Sequence, residues 1–281
     1  MPDMAVFVAS RAHEMDAPTA SAVLQHVTRN FEGAKADRPL FQETVLVLGA
    51  VIVQHSHEAG TRELATALWA WGRLATVGAF LESMKPHFAD VLQAFNAGHV
   101  AHAKSMHASM GLGAVAYLAK AGARFRAERG LELAAAAAAL GRLCALIDEG
   151  GEVSCQDVGD ATWSLLQLRI PPPHHQLAAL ARHAAEPGAV AGATPAAISK
   201  LLWSLSELIA AGGTPPLSAG GPEWQRLVEG YLNATDAQGP DRKAASFYRE
   251  AVQRLAGAAG GAQCISRQLA MRALQAVPAG H

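Results

Sequence analysis

Aromatic residues are scarce in this chain, at 6% of 281 positions, and charged residues reach only 17%. Few aromatic and few β-branched side chains leave a β-rich core without its usual material. Charge of one sign is missing too: the net charge is −1 and the pI is near 6.9. A domain that grips nucleic acid over its whole surface is strongly basic, so any phosphate contact here has to come from a local patch. Cysteine is limited to Cys144, Cys155 and Cys264, an odd number with no C-x-x-C pair. That excludes a disulfide framework and a thiolate zinc site, and fits a reducing compartment. The longest apolar run, "LELAAAAAAL" at 131–140, is short and polar at its ends, so a soluble protein with no membrane partner is expected. The first twenty residues lack the basic and apolar regions of a secretory signal, and Asp3, Glu14 and Asp16 are foreign to a transit peptide.

What is present is alanine. Apolar residues make up 51% of the chain, and much of that fraction is the strongest helix former, which predicts an all-helical protein. One helical pattern recurs. In "ELATALWAWGRL" (63–74), with Trp69 as reference, Leu64, Leu68, Trp71 and Leu74 form a stripe on one face. The same offsets give Val158, Thr162, Leu165 and Leu168 around Trp163, and Ile198, Leu202, Leu205 and Leu208 around Trp203. Weaker copies centre on His107 and on Ala138. Small residues keep the register as well: Ala65, Ala103, Ala134, Gly159 and Ser199 stand four positions before the reference, and Ala70, Ala108, Ala139, Ser164 and Ser204 one after it. Side chains this small let neighbouring helices approach closely.

From Trp69 to His107 is 38 residues and from Trp163 to Trp203 is 40, while the steps between, 31 and 25, are irregular. The best-formed unit spans 171–208. Pro171 to Pro173 end the preceding helix, "HHQLAALARHAA" forms a first amphipathic helix, and "EPGAVAGA" breaks it. Thr194 then offers an N-cap oxygen with Pro195 at the first helical position, and Ser154 with Asp157 reads as a capping box for the Trp163 helix. Helix–turn–helix pairs of this kind stack, so the expected fold is an all-α solenoid of repeats of about 38 residues, irregular in its middle. Residues 1–40 read as a weakly patterned N-terminal segment or cap, 41–255 as the array with its best repeats at 61–112 and 171–208, and 256–281 as a degenerate closing helix and tail.

A proline cluster, a helix and then "LLWSLSEL" or "ALWAWGRL" resembles the octotricopeptide repeat of green-algal organelle proteins, which is related to the FAST leucine-rich proteins of mitochondria. The resemblance covers roughly 40–255 and is strongest at 61–112 and 171–208. It implies binding of single-stranded RNA in the mitochondrial matrix or chloroplast stroma, acting on transcript stability, processing or translation.

With the stripe and the tryptophan column packed, the positions three before, one after and four after the reference are expected to face outward. They read Thr66, Ala70, Arg73; Lys104, Ala108, Gly111; Ala135, Ala139, Arg142; Asp160, Ser164, Gln167; and Lys200, Ser204, Glu207. Two readings fit: a solvated face beside a small-residue packing column, or a row that reads one base per repeat. The RNA-contact candidates are therefore Thr66, Arg73, Lys104, Arg142, Asp160, Gln167 and Lys200. Arg124 and Arg126 join them from "KAGARFRAERG", where cations flank Phe125.

Twelve histidines include "HSHE" at 55–58 and the series His99, His102, His107, but no converging set of metal ligands is visible, so no metal is expected. "GLGAVA" (111–116) matches a dinucleotide fingerprint in letters only. It follows a helical repeat rather than a strand, with Gly111 and Gly113 read as lying at the helix end. No catalytic motif, cofactor or small-molecule substrate is indicated. The rival to RNA binding is a helical scaffold for protein partners in a ribosomal or other large assembly.

Overall fold

A computed structural model describes Val8 and residues 10–30, 38–211, 213–239, 241–257 and 263–277. The described residues are all-helical, with thirteen helices and no strand. They form two compact units, Met1–Arg142 and Leu143–His281. Of the terminal segments read from the sequence, residues 1–7, 9, 31–37, 258–262 and 278–281 lie outside the described residues.

The first unit contains α1 (Ala17–Arg29), α2 (Arg38–Gln54), α3 (Thr61–Thr76), α4 (Lys85–Ala94, running on through a π turn over Phe95–His99) and α5 (Ser105–Ala121). Helix α6 (Arg129–Asp148) crosses the boundary. The second unit contains α7 (Cys155–Leu168), α8 (His174–Ala184), α9 (Pro187–Ala191), α10 (Pro195–Ala210), α11 (Pro222–Gln238), α12 (Arg242–Leu255) and α13 (Arg267–Ala276).

The pattern-bearing helices pack as neighbours within each unit. Helix α3 lies extensively against α5 and also contacts α1; helix α10 lies against both α7 and α12. The small columns make this approach possible. Ala65, Ala70, Ala108, Ser164, Ser199 and Ser204 are all buried. At Gly72 a Cβ would stand 2.9 Å from the Cα of Ala114, so α3 and α5 touch backbone to backbone. Gly159 plays the same part between α7 and α10, where a Cβ would meet the carbonyl of Ala197 at 3.2 Å. Burial of Ala70, Ala108, Ala139, Ser164 and Ser204 corrects the outward row, whose centre faces a packed neighbour instead of solvent. One position beside a leucine stripe still lies within its apolar arc, which on a core-facing helix spans 100° or more.

Local signals place the helix starts. Ser154 Oγ accepts from the Asp157 amide at 3.1 Å, and Asp157 Oδ2 accepts from the Ser154 amide at 3.3 Å. Thr194 caps α10 through the Ala197 amide, with Pro195 following. Asp16 caps α1 by accepting from the Thr19 amide at 2.9 Å. Helix α7 ends on Arg169 in the left-handed conformation (φ 54°), just before the three prolines.

Three expectations change. "EPGAVAGA" is not merely a break, because it holds the short helix α9. Gly111 and Gly113 lie inside α5, not at its end; Gly111 makes room for the Phe95 ring, which a Cβ would meet at 2.7 Å. The run at 131–140 is embedded in the 20-residue α6, which by length and composition alone is long and apolar enough to cross a membrane. Core helices of soluble proteins pass the same test, and the first turn of α6 is tied to protein by a buried carboxylate. Glu132, fully buried, accepts from Arg126 Nε at 2.6 Å and from Arg129 Nη1 at 3.0 Å.

Candidate nucleic-acid interface

Helices packed in one register bring equivalent positions together. In the first unit the reference residues Trp69 of α3 and His107 of α5 line one groove of about 690 Å³. Gln25 of α1 joins them from the corresponding place: Ser21 stands four before it in the small column, and the buried Leu24 and Val27 continue the stripe. Thr66, one turn before Trp69, lines the groove, as do Met106 and Met110. Met106 is 53% exposed, which leaves apolar surface for a ligand to cover.

Trp69 is half-buried, and the Arg29 guanidinium lies 5.7 Å from its ring centroid. Arg62 is exposed at the groove edge beside Glu63. Neither Arg29 nor Arg62 forms an ion pair among the described residues. Ser21 is 1% exposed, and its hydroxyl has no hydrogen-bond partner. The groove thus combines an aromatic face, two available cations and an unsatisfied buried hydroxyl.

The same row in the second unit is filled by its own side chains. Lys200 Nζ sits 4.6 Å above the Trp163 ring and 2.5 Å from Asp160 Oδ1. The Trp203 ring packs on Phe247 at 5.3 Å, and its Nε1 donates to Glu250 at 3.3 Å. Arg254 joins Glu250 at 2.6 Å and also pairs with Glu207.

The sequence-derived candidates therefore separate. Thr66 is in the groove, whereas Arg73, two turns along α3, is exposed outside its lining. Lys104 is exposed at the N-cap of α5. Arg142 Nε donates to the Ala103 carbonyl at 2.8 Å, tying α6 to the start of α5. Asp160 and Lys200 are brought together as an ion pair, and Gln167 is half-buried on α7. Arg124 is exposed over Phe125, with its guanidinium 4.4 Å from that ring. Arg126 is a correction: its bidentate pairing with Glu132 commits it to the fold, and the same hydrogen bonds raise its pKa above the usual arginine value. Phe125 is buried against Phe80, centroids 5.4 Å apart, so it offers no face to a base.

Sequence reasoning missed Ser21, Gln25, Arg29 and Arg62. The signal for the first three was available: "SAVLQHVTR" places a small residue, two stripe residues and a terminal cation at the repeat's offsets from Gln25. The absence of a tryptophan hid it.

Among the described residues no group of three or more histidine, cysteine, aspartate or glutamate side chains is placed to hold a metal. Burial pushes the thiols of Cys155, Cys264 and Cys144 up, that of Cys155 to about 12, so none is poised as a nucleophile. No protein-family model and no curated protein matches the chain.

Proposed function

We infer that the chain is an RNA-binding helical-repeat protein of the octotricopeptide type, acting by binding rather than catalysis. In this reading its helix pairs stack as a solenoid, and it works on the processing, stability or translation of organellar transcripts. The observation that carries the reading is the α1–α3–α5 groove, where the equivalent positions Gln25, Trp69 and His107 meet beside two cations, Arg29 and Arg62, that form no ion pair among the described residues. Single-stranded nucleic acid is held in this way, by bases stacked on aromatic rings and phosphates on nearby cations. A near-neutral net charge is compatible with it, because Arg29 and Arg62 stand together in the groove against one carboxylate, Glu63. Crosslinking in cells followed by sequencing of bound RNA tests it. Enrichment of particular transcripts over a non-binding control is the expected result, and recovery equal to that control overturns the reading.

One observation favours the second reading, a scaffold for protein partners. Only 33% of the apolar window of α6 is buried, and Leu133 is 46% exposed. Residue-level crosslinking in native extract would favour this reading if links to other proteins cluster on α6 while RNA recovery stays at background.

A further inference from the structure

The two units present the same repeat row in opposite states. In the second unit each aromatic ring at the reference position already has a partner. Lys200 covers Trp163 and is held there by Asp160, and Phe247 covers Trp203. Three carboxylates, Asp160, Glu207 and Glu250, are paired with Lys200 and Arg254, and Lys243 stands 6.0 Å from the centroid of the Phe247 ring, so the charges of this row are committed to one another. A phosphate or a base entering it has to break an existing pair.

In the first unit the corresponding ring has a cation over it, Arg29, that forms no ion pair among the described residues. Arg29 stands 5.7 Å from the Trp69 centroid, farther than Lys200 from Trp163 at 4.6 Å. A swing of this guanidinium onto a phosphate would release the ring face to a base. Arg62, two turns before Trp69 on the same helix, is exposed at the groove edge and suits a neighbouring phosphate. Clefts that enclose small ligands span roughly 300–1,000 Å³, and this groove falls in that range.

Resting on the RNA-binding reading, we propose that RNA contact in these rows is confined to the first unit. One unpaired base stacks on Trp69 and the phosphates beside it lie on Arg29 and Arg62, while the row of the second unit holds its own helices together and reads no base.

The test is fluorescence anisotropy of the full chain with a labelled, unstructured 20-nucleotide RNA pool, over a salt series. Trp69→Leu is expected to weaken binding by roughly 5- to 150-fold, the range for losing one stacked base. Trp69→Phe should recover most of that loss. Arg62→Gln, on an exposed side chain, should lower the slope of log affinity against log salt by roughly 0.7, the share of one phosphate on a single strand. A purely structural role for Arg62 would leave that slope unmoved. Trp203→Leu and Arg254→Gln should change affinity less than twofold, with helix content checked by circular dichroism for every variant. Wild-type binding that is insensitive to Trp69→Leu and Arg62→Gln, or that is lost in Arg254→Gln, overturns the proposal and leaves the RNA reading standing. No binding by wild type at any salt overturns both.

Discussion

Trp69 and Trp71 are two positions apart on one helix, and their surroundings assign them different work. Trp71 is fully buried, edge-on to Phe88 at 6.1 Å, while Trp69 and Trp203 are half-buried. Trp71→Ala should therefore cost about 3–5 kcal/mol, the range for emptying a large core site. Trp69→Ala and Trp203→Ala should each cost less than half as much, because water already reaches part of each ring. Urea unfolding of the three variants checks the order. Glu132 invites a second test, since Arg126→Ala strips a fully buried carboxylate of its bidentate partner. Removing one partner of a buried pair costs about 3–5 kcal/mol. Arg129 remains and the Arg126 side chain is 35% exposed, so about 1–3 kcal/mol is expected in the same assay. The thiols sort by burial as well: Cys155 and Cys264 are buried and Cys144 is half-buried. A thiol reagent added to native protein should modify Cys144 first, and the other two should react only on unfolding.

At the scale of the element, small residues set how closely helices pack. Gly72→Ala puts a methyl group 2.9 Å from the Ala114 Cα, and backbone has no rotamer with which to move aside. Overpacking of this kind costs roughly 1–3 kcal/mol. Because α3 and α5 both line the groove, the variant should also disturb whatever binds there. Helix α7 adds a pH dependence. Cys155 at its first position has its thiol pKa raised by burial from 9.0 to about 12. The unfolded thiol ionises first as pH rises, so the stability from burying it is complete below about pH 9 and is lost progressively towards pH 12. Melting temperatures should fall between pH 8 and 11, and Cys155→Ala should flatten part of that fall. At the acid end, Asp16 has its pKa lowered by its hydrogen bonds to Thr19, so this N-cap contributes above its ordinary pKa of 3.8 and loosens as pH drops through that region.

Legibility in the sequence also follows this scale. Helices, caps and the neighbour relation of α3 with α5 and of α7 with α10 could be read directly, because stripes, small columns and Ser or Thr caps act through nearby residues. The site was only partly legible. Thr66 was found from its offset, but whether a cation is available or committed depends on partners far along the chain. Lys200 meets Asp160 across 40 residues, and Arg254 meets Glu207 across 47. No local pattern encodes those pairings. Arg29 was missed for a different reason: its helix keeps the offsets of the pattern but lacks the tryptophan that made the other copies visible.

In the whole molecule, two units of similar helical pattern carry different rows: that of the first lines an open groove, and that of the second is filled by its own side chains. The most direct measurement is ultraviolet crosslinking of the full chain to a single-stranded RNA pool, with the crosslinked peptides mapped by mass spectrometry. Adducts are expected on the groove helices, at Trp69 or His107 and their immediate neighbours, and none on α7, α10 or α12. Adducts confined to residues 143–281, or none above a non-binding control, would contradict it.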